Sequence, residues 1–208
     1  TTFSKKIYVG YNLRFHPFID CIKKILANEM ILSLNVYVGK HLSTWRPNQC
    51  YENSYSSDIK LGGGVLLELS HELDYLLHLF GKCIRCSTLI SKLSNLKINC
   101  EDSVVGILKF TNCDHVSINL NLFDRVGRRE IIVNTNRNSY KFDLLNNYMK
   151  KNNKVIKFSC GINETYKKMH LNVLNNNGND ACSYGESIEI LKLIKFLRDN
   201  NANEFVNG

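Results

Sequence analysis

Glu68, His71, Asp74 and Tyr75 follow three consecutive glycines in the stretch Leu61 to Gly81, LGGGVLLELSHELDYLLHLFG. Read as one helix, this spacing lines up an acid, a histidine and a second acid on a single face. Histidine titrates near neutrality and is a natural proton acceptor for a hydroxyl that becomes a carbonyl. A neighbouring carboxylate can hold its tautomer and raise its basicity. Glycines at 62 to 64 permit a sharp turn and close backbone approach, and Gly81 closes the helix. Packing explains Leu66, Leu69, Leu73, Leu76 and Leu77 but leaves the ionisable line over. That line reads either as the acid and base of a sugar-handling enzyme or as a solvated polar face. His78, further along, reads as structural.

Two further clusters could bind ligand. Tyr11-Asn12-Leu13-Arg14-Phe15-His16-Pro17 marks a strand-to-helix corner. The plainer alternative pairs Arg14 with a surface acid and has His16 cap the helix. Trp45-Arg46 combines a stacking surface with an anion fork, suited to a sugar or nucleotide; a buried Trp beside a surface Arg is the competing reading. There is no GxSxG, no Walker loop and no GxGxxG after a strand, so the triple glycine is not a dinucleotide fingerprint. Cys83-Ile84-Arg85-Cys86 lacks the second tight pair of a structural zinc site, and no metal is assigned.

Composition narrows the classes. With 208 residues, 44% of them hydrophobic, the chain can bury the core of one domain, or of one domain and a fragment of another. Its net charge of +8 attracts anions in general. The cations are scattered, with short clusters at Lys23-Lys24, Arg125 to Arg129 and Lys150 to Lys157, and no basic stripe is interleaved with aromatics. Nucleic acid is therefore not an expected partner. No window is apolar enough to span a bilayer, and no basic-then-apolar leader precedes the first strand, so a soluble chain is expected. Eight cysteines in apolar or strand-like stretches point to small buried hydrophobes in a reducing cytoplasm. The chain begins at Thr1, which suggests a processed or cut product.

The elements follow from periodicity. Residues 6–12 read as a strand, and Pro17 opens a helix whose stripe is Phe18, Cys21, Ile22, Ile25 and Leu26. Leu32 to Val38 alternates as a half-buried strand. Residues 42–60 form a long polar loop holding Trp-Arg-Pro, of the kind that tends to be functional or mobile. Strands are expected at 104–110, 116–122, 130–134, 140–144 and 155–158, with a hairpin turn at Thr135 to Asn138. Helices at 164–174 and from Ser183 close the chain. Asn163 caps the first, and Ser183 with Glu186 makes a capping box on the second, whose buried stripe is Ile188, Leu191 and Ile194. Grouped strands and helices indicate α+β, an antiparallel sheet covered on one face by helices.

YVGYNLRFHP, the WRP loop, LGGGVLLELSHELDYLLHLFG, EDSVVGILKF, REIIVNTNRNSYKFDLLNN, NETYKKMHLNVL and SYGESIEILKLIKFL occur in this order. Together they resemble the Gfo/Idh/MocA oxidoreductases from the last strand of their Rossmann domain onward, over nearly all of the chain. The WRPNQ and SHELDYL variants look most like the branch found with surface-sugar (nonulosonic acid-type) biosynthesis, a part of polysaccharide biosynthesis.

That resemblance implies a mostly antiparallel open sheet of the dihydrodipicolinate-reductase-like kind. Residues 1–16 would be a remnant of the last Rossmann strand and crossover, and residues 17–208 a substrate-binding and oligomerisation domain. It implies NAD or NADP, bound mainly by an N-terminal domain whose glycine and Glu-Lys-Pro motifs would precede Thr1, with Tyr11 and Asn12 contributing to cofactor binding. His71 would be the catalytic acid/base. Glu68 would stand for the family aspartate, although it is Glu and lies three residues before the histidine where four is usual. Arg14, Trp45, Arg46, Asp74 and Tyr75 would hold an anionic or nucleotide-linked sugar. The open sheet face, for which the alternating Val116 to Leu122 strand suits, would make a homodimer or homotetramer. The fragment alone would be inactive. A reading from another class is a non-catalytic, stand-alone sugar-binding or dimerisation domain; the genomic sequence upstream of Thr1 separates the two.

Overall fold

A computed structural model of the chain describes residues 5–46, 48–161, 163–175 and 178–202. Pro47 of the Trp-Arg-Pro, Asn176 and Asn177 of the asparagine run, the first four residues and the last six lie outside the described residues. Elements follow one another as β1 (Tyr8–Val9), α1 (Pro17–Asn28), β2 (Ile31–Gly39), α2 (Val65–Glu68), α3 (Ser70–Phe80), β3 (Cys83–Ser91), β4 (Ser103–Phe110) and β5 (Cys113–Asn121). Then come β6 (Arg128–Thr135), β7 (Ser139–Asp143), β8 (Tyr148–Lys151), β9 (Lys154–Lys157), α4 (Glu164–Asn175), β10 (Cys182–Ser183) and α5 (Tyr184–Asp199).

Eight strands form one open sheet in the order β3-β4-β5-β2-β6-β7-β8-β9. All neighbours are antiparallel except β2 and β5, which run parallel from Leu34↔Val116 to Gly39↔Asn121. This mixed α+β architecture is the one expected, with a parallel pair at its centre that strand periodicity does not reveal. Alternation explains the one-sided core. Val36, Val38, Val116, Ile118, Leu120, Ile131 and Val133 are all buried, and each fully buried aliphatic of this kind is worth about 1.5–3 kcal/mol. Phe18 and Ile22 of α1 and Leu66, Leu73 and Leu76 of α2 and α3 join them in the same core cluster. Phe18 packs on Phe142 of β7, ring centroids 5.3 Å apart.

The first expected strand is shorter than its pattern. Only Tyr8 and Val9 are extended, paired with Cys182 and Ser183 of β10, and a 3-10 turn follows at Asn12–Phe15. Strand β3 was not expected. A register shift between Cys83 and Arg85 and an inward Thr88 blur its alternation. β8 is four residues long with one clearly buried side chain, Met149, too little to leave a period. The capping box is present: Ser183 Oγ accepts from the Glu186 N–H, and Glu186 accepts from the Ser183 N–H. The stripe on that helix is displaced, however. Ile190, Leu193, Ile194 and Leu197 are buried while Leu191 is 50% exposed, because α5 packs against both α3 and β3 instead of one neighbour. His16 does cap α1, its Nδ1 accepting from the Phe18 N–H at 3.2 Å.

Among the described residues, no helix is long and apolar enough to cross a membrane. All eight cysteines are free thiols; Cys100, Cys113 and Cys182 are buried and Cys50 is exposed. No group of three or more His, Cys, Asp or Glu side chains that could hold a metal ion occurs among the described residues.

Candidate functional site

The glycine turn does what its composition suggests. Gly62 has φ +90° and Gly64 has φ +107° with ψ 152°, the latter a region open essentially to glycine alone. A Cβ on Gly64 would lie 2.7 Å from the Glu101 carboxyl, and one on Gly63 would lie 2.7 Å from the Tyr55 and Ser56 carbonyl oxygens. The turn is thereby wedged between the 55–56 segment and Glu101. Gly64→Ala is expected to cost about 1–3 kcal/mol through backbone strain alone, with the collision added. Urea denaturation measures it, and a loss below about 0.5 kcal/mol, the scale of ordinary surface changes, would mean the turn is not fixed as described.

The helix after the turn is not continuous. It breaks at Leu69 (φ −107°, ψ 30°), which ends α2 and precedes α3. Glu68 and His71 therefore sit on different helices, and the expected single face of Glu68, His71 and Asp74 does not form. No residue type between Leu67 and Glu72 demands the break. It is a tertiary feature: α2 packs on β4 and β5, whereas α3 packs on α5 and the Asn12–Phe15 turn.

His71 lies half-buried at the start of α3. Its ring meets the Tyr11 ring edge-on, centroids 5.3 Å apart and planes at 80°, and its buried Nδ1 has no partner. Burial, seconded by the charge of Arg129, lowers its pKa to about 4, so the imidazole is neutral at neutral pH. Glu68 also has a buried oxygen without a partner, Oε1. Burial raises its pKa, against the opposing effects of the Ser56 hydroxyl and the Arg46 charge. Among the described residues, no hydrogen bond joins Glu68 to His71. Two half-buried groups, each with an unsatisfied polar atom, thus flank the helix break.

Arg14, Asp74 and Tyr75, expected to contact substrate, lie in the interior. Asp74 and Tyr75 are both fully buried. Arg14, 4% exposed, donates from Nε to both Asp74 oxygens at 3.0 Å and from Nη2 to Oδ1 at 2.7 Å. Its Nη1 donates to Glu186 Oε1 at 2.7 Å. Arg14 does pair with an acid, as the plainer reading had it, but with an interior one. A buried charge committed in this way to Asp74 and Glu186 fixes the Asn12–Phe15 turn against α3 and α5.

Tyr11 and Asn12 each place one polar group in an internal hydrogen bond. Asn12, buried, donates to Thr165 Oγ1 at 2.6 Å, and the Tyr11 hydroxyl donates to Ser70 Oγ at 3.3 Å. Asn12 Nδ2 is thus engaged with Thr165, while the Tyr11 ring lies against His71.

Among its described residues the 42–60 loop carries 3-10 turns at Leu42–Thr44, Tyr51–Asn53, Tyr55–Ser57 and Ile59–Leu61. Trp45 donates from Nε1 to the Lys40 carbonyl at 3.0 Å. Arg46 lies over the Tyr55 ring and donates to its hydroxyl at 2.8 Å. The hollow that Trp45 and Arg46 share with Tyr51 and Ser56 has a volume near 10 Å³, room for about one water. Pattern reasoning missed Glu72 and Arg129. Glu72 is fully buried and paired with Arg129 of β6, Nε to Oε1 at 3.0 Å. No local signal announces such a pair across 57 residues.

Residues 23–195 match the family model described as the oxidoreductase family, C-terminal alpha/beta domain. A search of curated proteins found no match. Among solved structures, an oxidoreductase from Thermotoga maritima aligns with a TM-score of 0.76 at 15% identity, over 96% of this chain and 62% of that one. UDP-N-acetylglucosamine 3-dehydrogenase from Acidithiobacillus ferrooxidans gives 0.73 at 13%, covering 94% and 61%. The WlbA dehydrogenase from Bordetella pertussis, in complex with NADH and UDP-GlcNAcA, gives 0.71 at 18%, covering 96% and 62%. The chain thus spans about three fifths of the length of these proteins.

Proposed function

Because the chain belongs to the Gfo/Idh/MocA oxidoreductase family through its C-terminal alpha/beta domain, we propose that it is the substrate-binding and assembly part of an NAD(P)-dependent sugar oxidoreductase. The single observation that carries this reading is His71: neutral, half-buried, at the head of a helix, with an unpartnered Nδ1. Residues 1–16 would close a nucleotide-binding unit joined to this one, and residues 17–208 would bind sugar. The nicotinamide, when bound there, supplies the hydride donor or acceptor.

What this chain adds is the proton. The neutral imidazole takes it from the hydroxyl of the carbon being oxidised, or returns it in the reverse direction. Glu68, whose burial favours its protonated form, lies across the helix break and orients or hydrogen-bonds the substrate. Trp45 and the exposed Arg46 flank the approach, though the hollow between them is too small for a sugar ring. The dehydrogenases similar in fold include one named for a UDP-sugar and one in complex with a UDP-sugar, which supports a nucleotide-linked amino sugar of surface-polysaccharide biosynthesis as substrate, in the cytoplasm.

Assembly would use the sheet face away from the helices. Leu89 (52% exposed), Val105 (44%) and Ile107 (68%) cluster there on β3 and β4, an apolar triplet that a second copy of the chain would cover. On β5 it is Ser117 and Asn119 that face this side, while Val116, Ile118 and Leu120 face the core. Expression of the full reading frame that carries this chain, followed by nicotinamide absorbance with UDP-amino sugars and free sugars, tests the function. Turnover on sugars is the expected result. A reading frame that binds sugar without turning over NAD or NADP would establish the non-catalytic binding domain instead.

A further inference from the structure

Tyr51 also lines a second, open cleft of about 440 Å³, together with His41, Ser94, Phe123 and Arg125. We propose that this cleft receives the nucleoside diphosphate end of the substrate, with Arg125 and His41 on the phosphates and Tyr51 and Phe123 against the base. The inference rests on the sugar-oxidoreductase reading and deepens it.

Three observations carry it. The first is room: Tyr51 lines both hollows, and only the one with Arg125 has space for more than a water.

The second is chemistry. Arg125 is exposed and makes no ion pair among the described residues, unlike Arg14, Arg128, Arg129 and Arg198. A free guanidinium fork is suited to phosphate. Ser43 Oγ occupies His41 Nδ1 at 2.7 Å, which leaves Nε2 for a ligand. Tyr51 and Phe123 give a base two aromatic surfaces.

The third is preorganisation, for each wall is braced. Asp124 accepts from the Val126 and Gly127 N–H groups and from Arg128 and Tyr37, which fixes the turn that carries Arg125. The His41 N–H donates to the Asp124 carbonyl at 2.6 Å, holding the His41 segment against that turn. Across the cleft, fully buried Asp102 accepts from the Leu93 and Ser94 N–H groups and the Ser94 hydroxyl. The Tyr51 hydroxyl accepts from the Lys97 N–H at 3.4 Å. A rigid cleft spends little on ordering when it binds.

Titration calorimetry of the protein expressed from the full reading frame, with UDP, uridine and inorganic phosphate, tests the assignment. UDP should bind more tightly than either part. Arg125→Ala should weaken UDP by about tenfold or more, the scale of one charge-assisted hydrogen bond, and His41→Asn should weaken it by less. An Arg125→Ala protein that binds UDP like the parent overturns the inference, as does phosphate binding as tightly as UDP. Loss of UDP binding in Arg46→Ala, with Arg125→Ala unaffected, would overturn it too and place the nucleotide beside Trp45. Turnover of free sugars by the full reading frame is read separately. The cleft assignment can thus fail while the oxidoreductase reading stands, and the reverse.

Discussion

His71→Asn is expected to lower kcat by about 10²–10⁴-fold in the full reading frame, the usual contribution of a positioned proton carrier. If the imidazole acts only as the proton moves, kcat and kcat/KM should fall together, because the lost interaction exists only in the transition state. A variant that raised KM with kcat unchanged would demote His71 to a binding residue. Stability gives an independent readout. The folded pKa of His71, about 4, lies below its ordinary 6.5, so the unfolded chain takes up the proton first. Folding stability should therefore fall as pH drops from about 6.5 towards 4. His16 and His78, lowered to about 4 by burial as well, share that acid limb. His71→Asn should flatten the limb without abolishing it. An unchanged profile of thermal midpoint against pH would mean that His71 is not held neutral by burial.

Asp74→Ala should be among the most damaging single changes to the fold, costing about 3–5 kcal/mol because it leaves the Arg14 guanidinium buried and short of partners. Against a total of about 5–15 kcal/mol for a domain, that is enough to leave much of the chain unfolded. Three of the hydrogen bonds from Arg14 end on Asp74, while the fourth reaches Glu186, whose side chain is 45% exposed. Arg14→Met with Asp74→Leu should recover much of the loss, since removing both charges removes the desolvation that the pair offsets. A double-mutant cycle in urea separates the coupling from the single losses. A cost for Asp74→Ala below about 1 kcal/mol, the value of an exposed ion pair, would show that the pair is open to solvent. Activity need not survive either change, because this pair sets α3, and with it His71, against the Asn12–Phe15 turn.

What could be read in the residues was what depends on short-range pattern. Alternation at 32–38 and 116–122 marked strands β2 and β5 and their buried faces, because side chains on a strand have no other way to divide between core and water. Pro17 with His16, and Ser183 with Glu186, marked helix starts, since a helix N-terminus leaves N–H groups that only a few side chains can satisfy. The glycines at 62 to 64 marked the turn for the same local reason: the conformation of Gly64 is closed to other residues.

Tertiary structure alone decided the rest. The break at Leu69 comes from two packing partners pulling on α2 and α3, with no breaker residue to announce it, and it separates Glu68 from His71. The buried stripe of α5 turned because the helix meets two neighbours. Arg14 joins Asp74 across 60 residues and Glu72 joins Arg129 across 57. Arg14 and Asp74, both expected to hold substrate, form an internal ion pair. Periodicity reports which face of an element is apolar; it carries no information about which distant charge will be taken out of water with it.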